Sequence, residues 1–193
     1  MSALAGNVGT RERLLGAGRE LIEEGGYGAA PVAAIAERAG VAAGTLYRHF
    51  PSKAELFLHV FRSVCAGEER AMVIAADEAG PEAVDRLEAV LTTFARRALL
   101  NPRLAWALLA EPVDQLVDAE RLAYRERYAG VVARELRAAI QAGEIPAQDA
   151  EFTAAALVGG CGEALVGPLS SVVGADEVVG SIRSFVRRAI GAA

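Results

Sequence analysis

Apolar residues recur every three or four positions along most of the chain, which is the spacing of one face of an α-helix. The first such segment is predicted to begin at Thr10, its cap, and to end near Glu24. Its apolar face consists of Leu14, Ala17, Gly18, Leu21 and Ile22. Glycine or proline then interrupts the pattern, which predicts a second short helix after Pro31 and a third from Thr45 to Phe50.

The helical pattern continues through the rest of the chain. Ser52 and Glu55 have the spacing of a capping box, which predicts the start of a long fourth helix. After a linker at 77–81, further helices are predicted at about 82–100, 104–111, 118–142, 147–166 and 176–190. Because alanine is the strongest helix former and the chain has 41 alanines, we expect an all-α fold of about nine helices.

Charge is unevenly divided along the chain. Residues 1–53 carry six basic and five acidic side chains, whereas residues 54–193 carry 14 basic and 20 acidic ones. The net charge of −5 therefore comes from the C-terminal two thirds and does not exclude nucleic-acid binding by the N-terminal third.

Composition narrows the class of protein further. The hydrophobic share of 53% is enough for a sizeable core and excludes overall disorder. No apolar run of about 18 residues is free of charges or breaks, so no membrane helix is expected. The start of the chain lacks the pattern of a secretory signal, and two distant cysteines, Cys65 and Cys161, favour a reducing compartment. We therefore expect a cytoplasmic protein of a bacterium or archaeon.

Three short helices with a glycine-containing turn between the second and third are typical of a helix-turn-helix unit. The segment 35–56 reads IAERAGVAAGTLYRHFPSKAEL, and Gly26-Tyr27 precede it. This stretch, within about 11–60, resembles the DNA-binding domain of the TetR family of transcriptional regulators. The resemblance implies a DNA-binding domain over 8–68, with the helix-turn-helix at 31–50, and an effector-binding and dimerisation domain over 69–193.

The resemblance also implies which residues face DNA. Val41, Leu46 and Phe50 are expected to form the core of the unit. Lys53 corresponds to a position that the family uses for a backbone phosphate. The expected DNA-facing residues are Ala43, Gly44, Thr45, Tyr47, Arg48, His49 and Lys53.

Two departures from the family pattern affect the second helix, and the residues before the third helix offer little for direct base recognition. At the position of Pro31, and often at that of Ala30, members of the family usually have Thr or Ser. The hydroxyl there caps the second helix and commonly contacts a phosphate. Ala34 replaces the acidic residue of the usual capping box, and Ala42 and Ala43 offer no polar groups to base edges. Specificity is therefore expected to depend on Arg48, on DNA shape and on an N-terminal arm at residues 1–9.

In a TetR-like protein the middle helices enclose an effector and the last two long helices pair with their two-fold mates. The expected pocket residues are Phe94, Trp106, Glu111, Gln115, Tyr124, Arg125, Tyr128 and Glu163. The expected dimer-interface residues are Phe152, Ala156, Gly159, Gly160, Ile182, Phe185 and Val186. Glu163 has two interpretations, a structural ion pair with an arginine of the last helix or a ligand contact. The aromatic residues also have an alternative role in core packing, and the interface residues have one in contacts within the subunit.

These patterns predict a homodimeric repressor that binds two-fold symmetric double-stranded operator DNA and is released by an unknown small-molecule effector. The alternative is a degenerate regulator that acts as a small-molecule or protein binding module without operator binding, because Pro31, Ala42 and Ala43 remove polar groups. An enzyme is not expected, since the chain has no HExxH, Gly-rich phosphate loop, CxxC pair or GxSxG. No cofactor and no metal are expected either.

Overall fold

A computed structural model describes residues 9–169 and 174–192 of the protein. Within these ranges it contains nine α-helices and no strand, as the hydrophobic pattern predicts. The helices are α1 (Thr10–Gly25), α2 (Val32–Arg38), α3 (Ala43–His49), α4 (Lys53–Glu78), α5 (Ala83–Leu100), α6 (Pro102–Leu109), α7 (Gln115–Ala142), α8 (Ala150–Leu169) and α9 (Ala175–Ile190). The arm expected at residues 1–9 falls almost entirely outside the described residues.

Helices α1 to α3 pack into a small N-terminal unit on the first turns of α4. Leu14 of α1, Leu46 of α3 and Phe50, which follows α3, are fully buried in its core, as expected. Val41 was also expected in the core but is only half-buried against it. Gly40 has φ of +66°, which lets the chain turn sharply between α2 and α3. The α2–α3 pair is therefore a helix-turn-helix.

The observed helix starts show which capping predictions were right. The Ser52 hydroxyl accepts the backbone N–H of Glu55 at 3.1 Å, so α4 begins where the sequence predicts. Thr10, expected to be a cap, is instead the first residue of α1, and the Glu12 carboxylate accepts the N–H of Gly9. Helix α7 begins three residues earlier than predicted because the Asp114 side chain caps it by accepting the N–H of Leu116.

Helix α4 is continuous from Lys53 to Glu78, so the boundary predicted at 68/69 falls inside it and both units share this helix. In the C-terminal unit α4 packs against α5 and α7, while α8 and α9 lie at one side. Glu135 of α7 is buried and is held by two arginines, Arg86 and Arg134, both at 2.7–2.8 Å. Burial alone would raise the pKa of Glu135, but these two hydrogen bonds outweigh it and the pKa is lowered.

Helix α8 is the most apolar element. By length and composition it is long and apolar enough to cross a membrane, the one such helix in the described chain. Core helices of proteins that do not span a membrane meet the same criteria, so α8 alone does not identify a membrane protein. Glu163 lies within it.

Candidate nucleic-acid interface and internal cavity

The exposed face of α3 carries the polar groups predicted to face DNA. Tyr47 is 56% exposed, and Arg48 and His49 are exposed beside it, because Leu46 and Phe50 hold the opposite face in the core. Within the described chain the side chains of Tyr47, Arg48 and His49 make no hydrogen bond or ion pair. Ala43 and Gly44 are exposed at the start of α3, while Thr45 is half-buried. An exposed phenol, guanidinium and imidazole on one short helix suit phosphate oxygens and base edges.

The starts of α2 and α3 lack capping side chains. Pro31 precedes α2 and Ala42 precedes α3, and neither side chain accepts a hydrogen bond from the first turn. The first-turn N–H groups of α2 and α3 therefore have no side-chain acceptor at the cap position.

Lys53, the first residue of α4, has partners inside the protein. Its Nζ donates to the carbonyl oxygen of Tyr27 at 2.6 Å and lies 3.8 Å from the centroid of the Tyr27 ring. Burial lowers the pKa of Lys53 from its ordinary value, and nearby Glu111 partly opposes this effect. These contacts are sufficient to hold a lysine side chain at this helix start within the protein. The phosphate contact itself stays a prediction.

A cavity of about 500 Å³ lies between α4, α5, α6, α7 and α8. This volume is in the range of drug-sized ligand sites. Its wall is mostly apolar, with side chains such as Phe61, Val64, Leu104, Leu108 and Val158. Five of the predicted pocket residues line it: Phe94, Tyr124, Arg125, Tyr128 and Glu163.

Three predicted pocket residues do not line the cavity. Trp106 is two positions from both Leu104 and Leu108, which line it, so the indole lies on the opposite side of α6. Gln115 is the first residue of α7, well over a turn before the first cavity residue of that helix. The Glu111 carboxylate is directed away from the cavity, to the backbone of the N-terminal unit.

Most polar groups around the cavity are already bonded within the protein. The Tyr124 and Tyr128 hydroxyls donate to the carbonyls of Arg62 and Cys65 in α4, each at 3.1 Å. Burial raises the pKa of Tyr128 well above its ordinary value and that of Cys65 to about 12, so both stay neutral. Arg97 forms two hydrogen bonds with Glu68, at 2.5 and 3.0 Å.

Arg121 is a cavity residue that sequence reasoning missed. Its guanidinium donates to three backbone carbonyls at the end of α6, those of Ala107, Leu108 and Glu111, at 2.6–2.8 Å. Arg121 precedes Tyr124 by three positions and Tyr128 by seven, so the helical spacing of these three residues was the available signal. Its charge favours a solvent-exposed position for Arg121 and not one at the cavity of the C-terminal unit.

Arg125 and Glu163 are the charged cavity residues that, within residues 9–169 and 174–192, lack an ion pair or side-chain hydrogen bond. The expected pairing of Glu163 with an arginine of the last helix was wrong. Arg183 and Arg187 of α9 pair instead with Glu88 of α5, at 3.4 and 2.9 Å. Glu163 is exposed on α8.

The predicted dimer-interface residues divide into two groups. Phe152 is 74% exposed, Phe185 is 42% exposed, Ala156 and Gly159 are also exposed, and Gly160 lies half-buried against the Phe185 ring. These small and aromatic residues form an exposed face of α8 and α9, and Gly159 also lines the cavity. Ile182 and Val186 are buried within the subunit at 4% and 0% exposure, so their assignment to an interface was wrong.

Taken together, a helix-turn-helix with an exposed polar helix, joined by one continuous helix to a unit with an apolar cavity, defines a class of DNA-binding regulator. The model of the tetR family of bacterial regulatory proteins matches residues 14–60. The chain is 30% identical to the HTH-type transcriptional regulator UidR of Escherichia coli over 142 residues, which covers 70% of this chain and 69% of UidR. The chain belongs to the tetR family.

Two further relatives extend the comparison. The HTH-type transcriptional repressor KstR of Rhodococcus jostii is 38% identical over 99 residues, 51% of this chain and 45% of KstR. The chain thus spans about half the length of the KstR proteins it matches. The transcriptional regulator FadR of Bacillus subtilis, solved in complex with stearoyl-CoA, has a similar fold with a TM-score of 0.76 at 22% identity, covering 90% of this chain and 96% of FadR.

Proposed function

We propose that the chain is a homodimeric, sequence-specific transcriptional repressor that a small-molecule effector releases from its operator DNA. The observation that carries this proposal is the exposed polar side of α3, with Tyr47, Arg48 and His49, in a unit that the continuous helix α4 joins to a cavity. Membership of a family of regulatory proteins supports the same conclusion.

The face of α8 and α9 with Phe152, Ala156, Gly159 and Phe185 is the proposed dimer interface. Small residues allow two helices to approach closely, and the exposed aromatic rings supply apolar area to bury. A two-fold dimer would present two copies of α3 to successive major grooves, about 34 Å apart along the DNA.

The cavity chemistry favours an effector with an apolar body and an anionic group. The wall is mostly apolar, and two charged lining residues, Arg125 and Glu163, have no partner within residues 9–169 and 174–192. Arg125 can bind the anionic group, and Glu163 can accept a hydrogen bond from a donor on the same effector. FadR, a protein of similar fold, binds stearoyl-CoA, which has both features and is therefore the first compound to test.

The mechanism is a shift between two conformations. A ligand that contacts the cavity wall changes the position of α4, because α7 residues lining the cavity are bonded to α4 carbonyls. The spacing of the two α3 copies changes with α4. A ligand needs only a few kcal/mol of preference for the wrong spacing to release DNA.

Selection from randomised DNA duplexes with the purified protein tests this function, followed by titration with stearoyl-CoA. We expect a two-fold symmetric sequence to be enriched and the protein to be released by stearoyl-CoA but not by coenzyme A alone. Arg48→Ala is the matched variant. If Arg48 contacts guanine, the variant loses preference at one symmetric pair of positions, at a cost of about 1–3 kcal/mol in discrimination.

If no duplex is enriched, the alternative of a binding module without operator binding is correct. Release that fails for stearoyl-CoA while DNA binding holds would contradict only the effector class.

A further inference from the structure

Glu111 lies between α6 and α7, and its carboxylate reaches across to the N-terminal unit. One oxygen accepts the N–H of Tyr27 at 2.9 Å and the other accepts the N–H of Gly28 at 3.2 Å. Both amides belong to the turn between α1 and α2. A carboxylate bonded to two consecutive amides fixes both the distance and the direction of that turn, because hydrogen bonds to a charged group are short and strong.

The turn at residues 26–28 also contacts the start of α4. The Tyr27 carbonyl accepts from Lys53 Nζ at 2.6 Å, and the Tyr27 ring packs on Phe57, with the ring centroids 4.9 Å apart. Gly26 has φ of +82°, and a Cβ there would lie 3.2 Å from a Glu111 carboxylate oxygen. The turn is thus shaped to receive the carboxylate.

On its other side, Glu111 is connected to the cavity. Its backbone carbonyl accepts from the Arg121 guanidinium at 2.6 Å, and Arg121 lines the cavity. The same guanidinium holds the Ala107 and Leu108 carbonyls, so the end of α6 and Glu111 move together with Arg121. A continuous series of hydrogen bonds therefore runs from the cavity wall to the start of α4.

We infer that Glu111 is a positioning residue that sets the orientation of the helix-turn-helix relative to the cavity wall, and so the affinity of the protein for DNA. This inference rests on the proposed function. Without the Glu111 carboxylate the N-terminal unit samples more orientations, only a fraction of which fit both half-sites. The apparent DNA affinity falls by that fraction.

Glu111→Gln is the test variant and Glu144→Gln is its matched control. Glu144 also accepts two consecutive amides, those of Ala83 and Val84 at 2.9 and 2.8 Å, but both lie within the C-terminal unit. Hydrogen exchange of the free protein is measured first. We expect faster exchange of the Tyr27 and Gly28 amides in Glu111→Gln, and faster exchange of the Ala83 and Val84 amides in Glu144→Gln.

DNA affinity is then measured with the duplex selected by the wild-type protein. We expect Glu111→Gln to bind about 5-fold to 100-fold more weakly, the usual range for coupling between sites. The slope of affinity against salt concentration stays unchanged, because Glu111 neutralises no phosphate. Glu144→Gln keeps wild-type affinity, which separates positioning from a general loss of stability.

Glu111→Asp keeps the charge but is one methylene shorter, so it remains a test if Glu111→Gln does not fold. Its affinity is expected to lie between those of wild type and Glu111→Gln. Wild-type affinity in both Glu111 variants, with faster exchange at Tyr27 and Gly28, overturns the inference alone. If wild type selects no duplex, the proposed function is wrong and the inference falls with it, while the exchange data still decide whether the Glu111 contact forms.

Discussion

The two units of the molecule use polar side chains in opposite ways. On α3 of the N-terminal unit, Tyr47, Arg48 and His49 are exposed and make no hydrogen bond or ion pair within the described part of the chain. Around the cavity of the C-terminal unit, Tyr128 and Arg121 of α7 are bonded to backbone carbonyls of neighbouring helices. The same residue types are therefore free for an external partner in one unit and structural in the other.

This difference limits how a ligand can bind in the cavity. A ligand oxygen that accepts a hydrogen bond from the Tyr128 hydroxyl must first replace the Cys65 carbonyl, which would then lose its partner at a cost. Arg125 and Glu163 have no ion pair or side-chain hydrogen bond with described residues. We therefore expect these two side chains to bind the polar groups of a ligand, and the rest of the wall to make mainly apolar contacts.

The largest expected effect compares two arginines. Arg121→Gln should lower the free energy of unfolding by about 2–3 kcal/mol, because it removes charged hydrogen bonds to three carbonyls. Arg48→Gln should leave the thermal midpoint unchanged, since Arg48 is exposed and has no described partner, but should weaken DNA binding. Chemical denaturation and DNA titration of both variants test this contrast. Equal losses of stability would show that the two units do not differ.

A finer comparison uses one substitution in both units. Tyr128→Phe removes a buried hydroxyl and should cost about 1 kcal/mol of stability, because the Cys65 carbonyl loses a donor. Tyr47→Phe should leave stability unchanged and weaken DNA binding with the same base preference, if its hydroxyl meets a phosphate. Denaturation and DNA selection on both variants measure this. A stability loss in Tyr47→Phe would reveal a partner for its hydroxyl that the described residues do not show.

The smallest expected effect separates the units by pH. Burial, followed by the positive charges of Arg11 and Arg62, lowers the pKa of His59 in the N-terminal unit from its ordinary 6.5, and Glu55 partly opposes this. The folded state therefore favours neutral His59, and stability should fall as the pH drops below about 6.5. Hydrogen bonds from the Ala83 and Val84 amides lower the pKa of Glu144 from 4.5. The ionised Glu144 therefore stabilises the folded state above that pH, and this stabilisation is lost as the pH falls below 4.5.

Thermal unfolding from pH 8 to pH 3 follows both losses, with His59→Gln and Glu144→Gln as the variants. His59→Gln should flatten the upper part of the profile and Glu144→Gln the lower part. A wild-type profile in His59→Gln would contradict the assignment of the upper step.

Much of the fold was predictable because it depends on local signals. Apolar spacing, Ser52 and the glycines give the order and approximate bounds of the helices, and residues 35–56 identify the helix-turn-helix. Pairing between distant helices gives no such signal. Ile182 and Val186 have the spacing of any buried face, and periodicity does not distinguish a face packed inside the subunit from one packed on a partner. Glu111 was expected in the cavity as the last residue of a helix predicted at 104–111. The observed α6 ends at Leu109, so Glu111 lies in the following loop and points elsewhere.

Lys53, at the joint between the two units, carries the only side-chain amine of the chain. Reductive methylation with ¹³C-formaldehyde would therefore place one NMR reporter on a side chain, besides any at the N-terminal amine. Because Lys53 Nζ lies 3.8 Å from the Tyr27 ring centroid, the ring current shifts its methyl resonance away from that of a solvated lysine. The methylated Lys53 would thus be a spectroscopic label where the N-terminal unit meets α4. Its signal can be followed in complexes without the introduction of a cysteine.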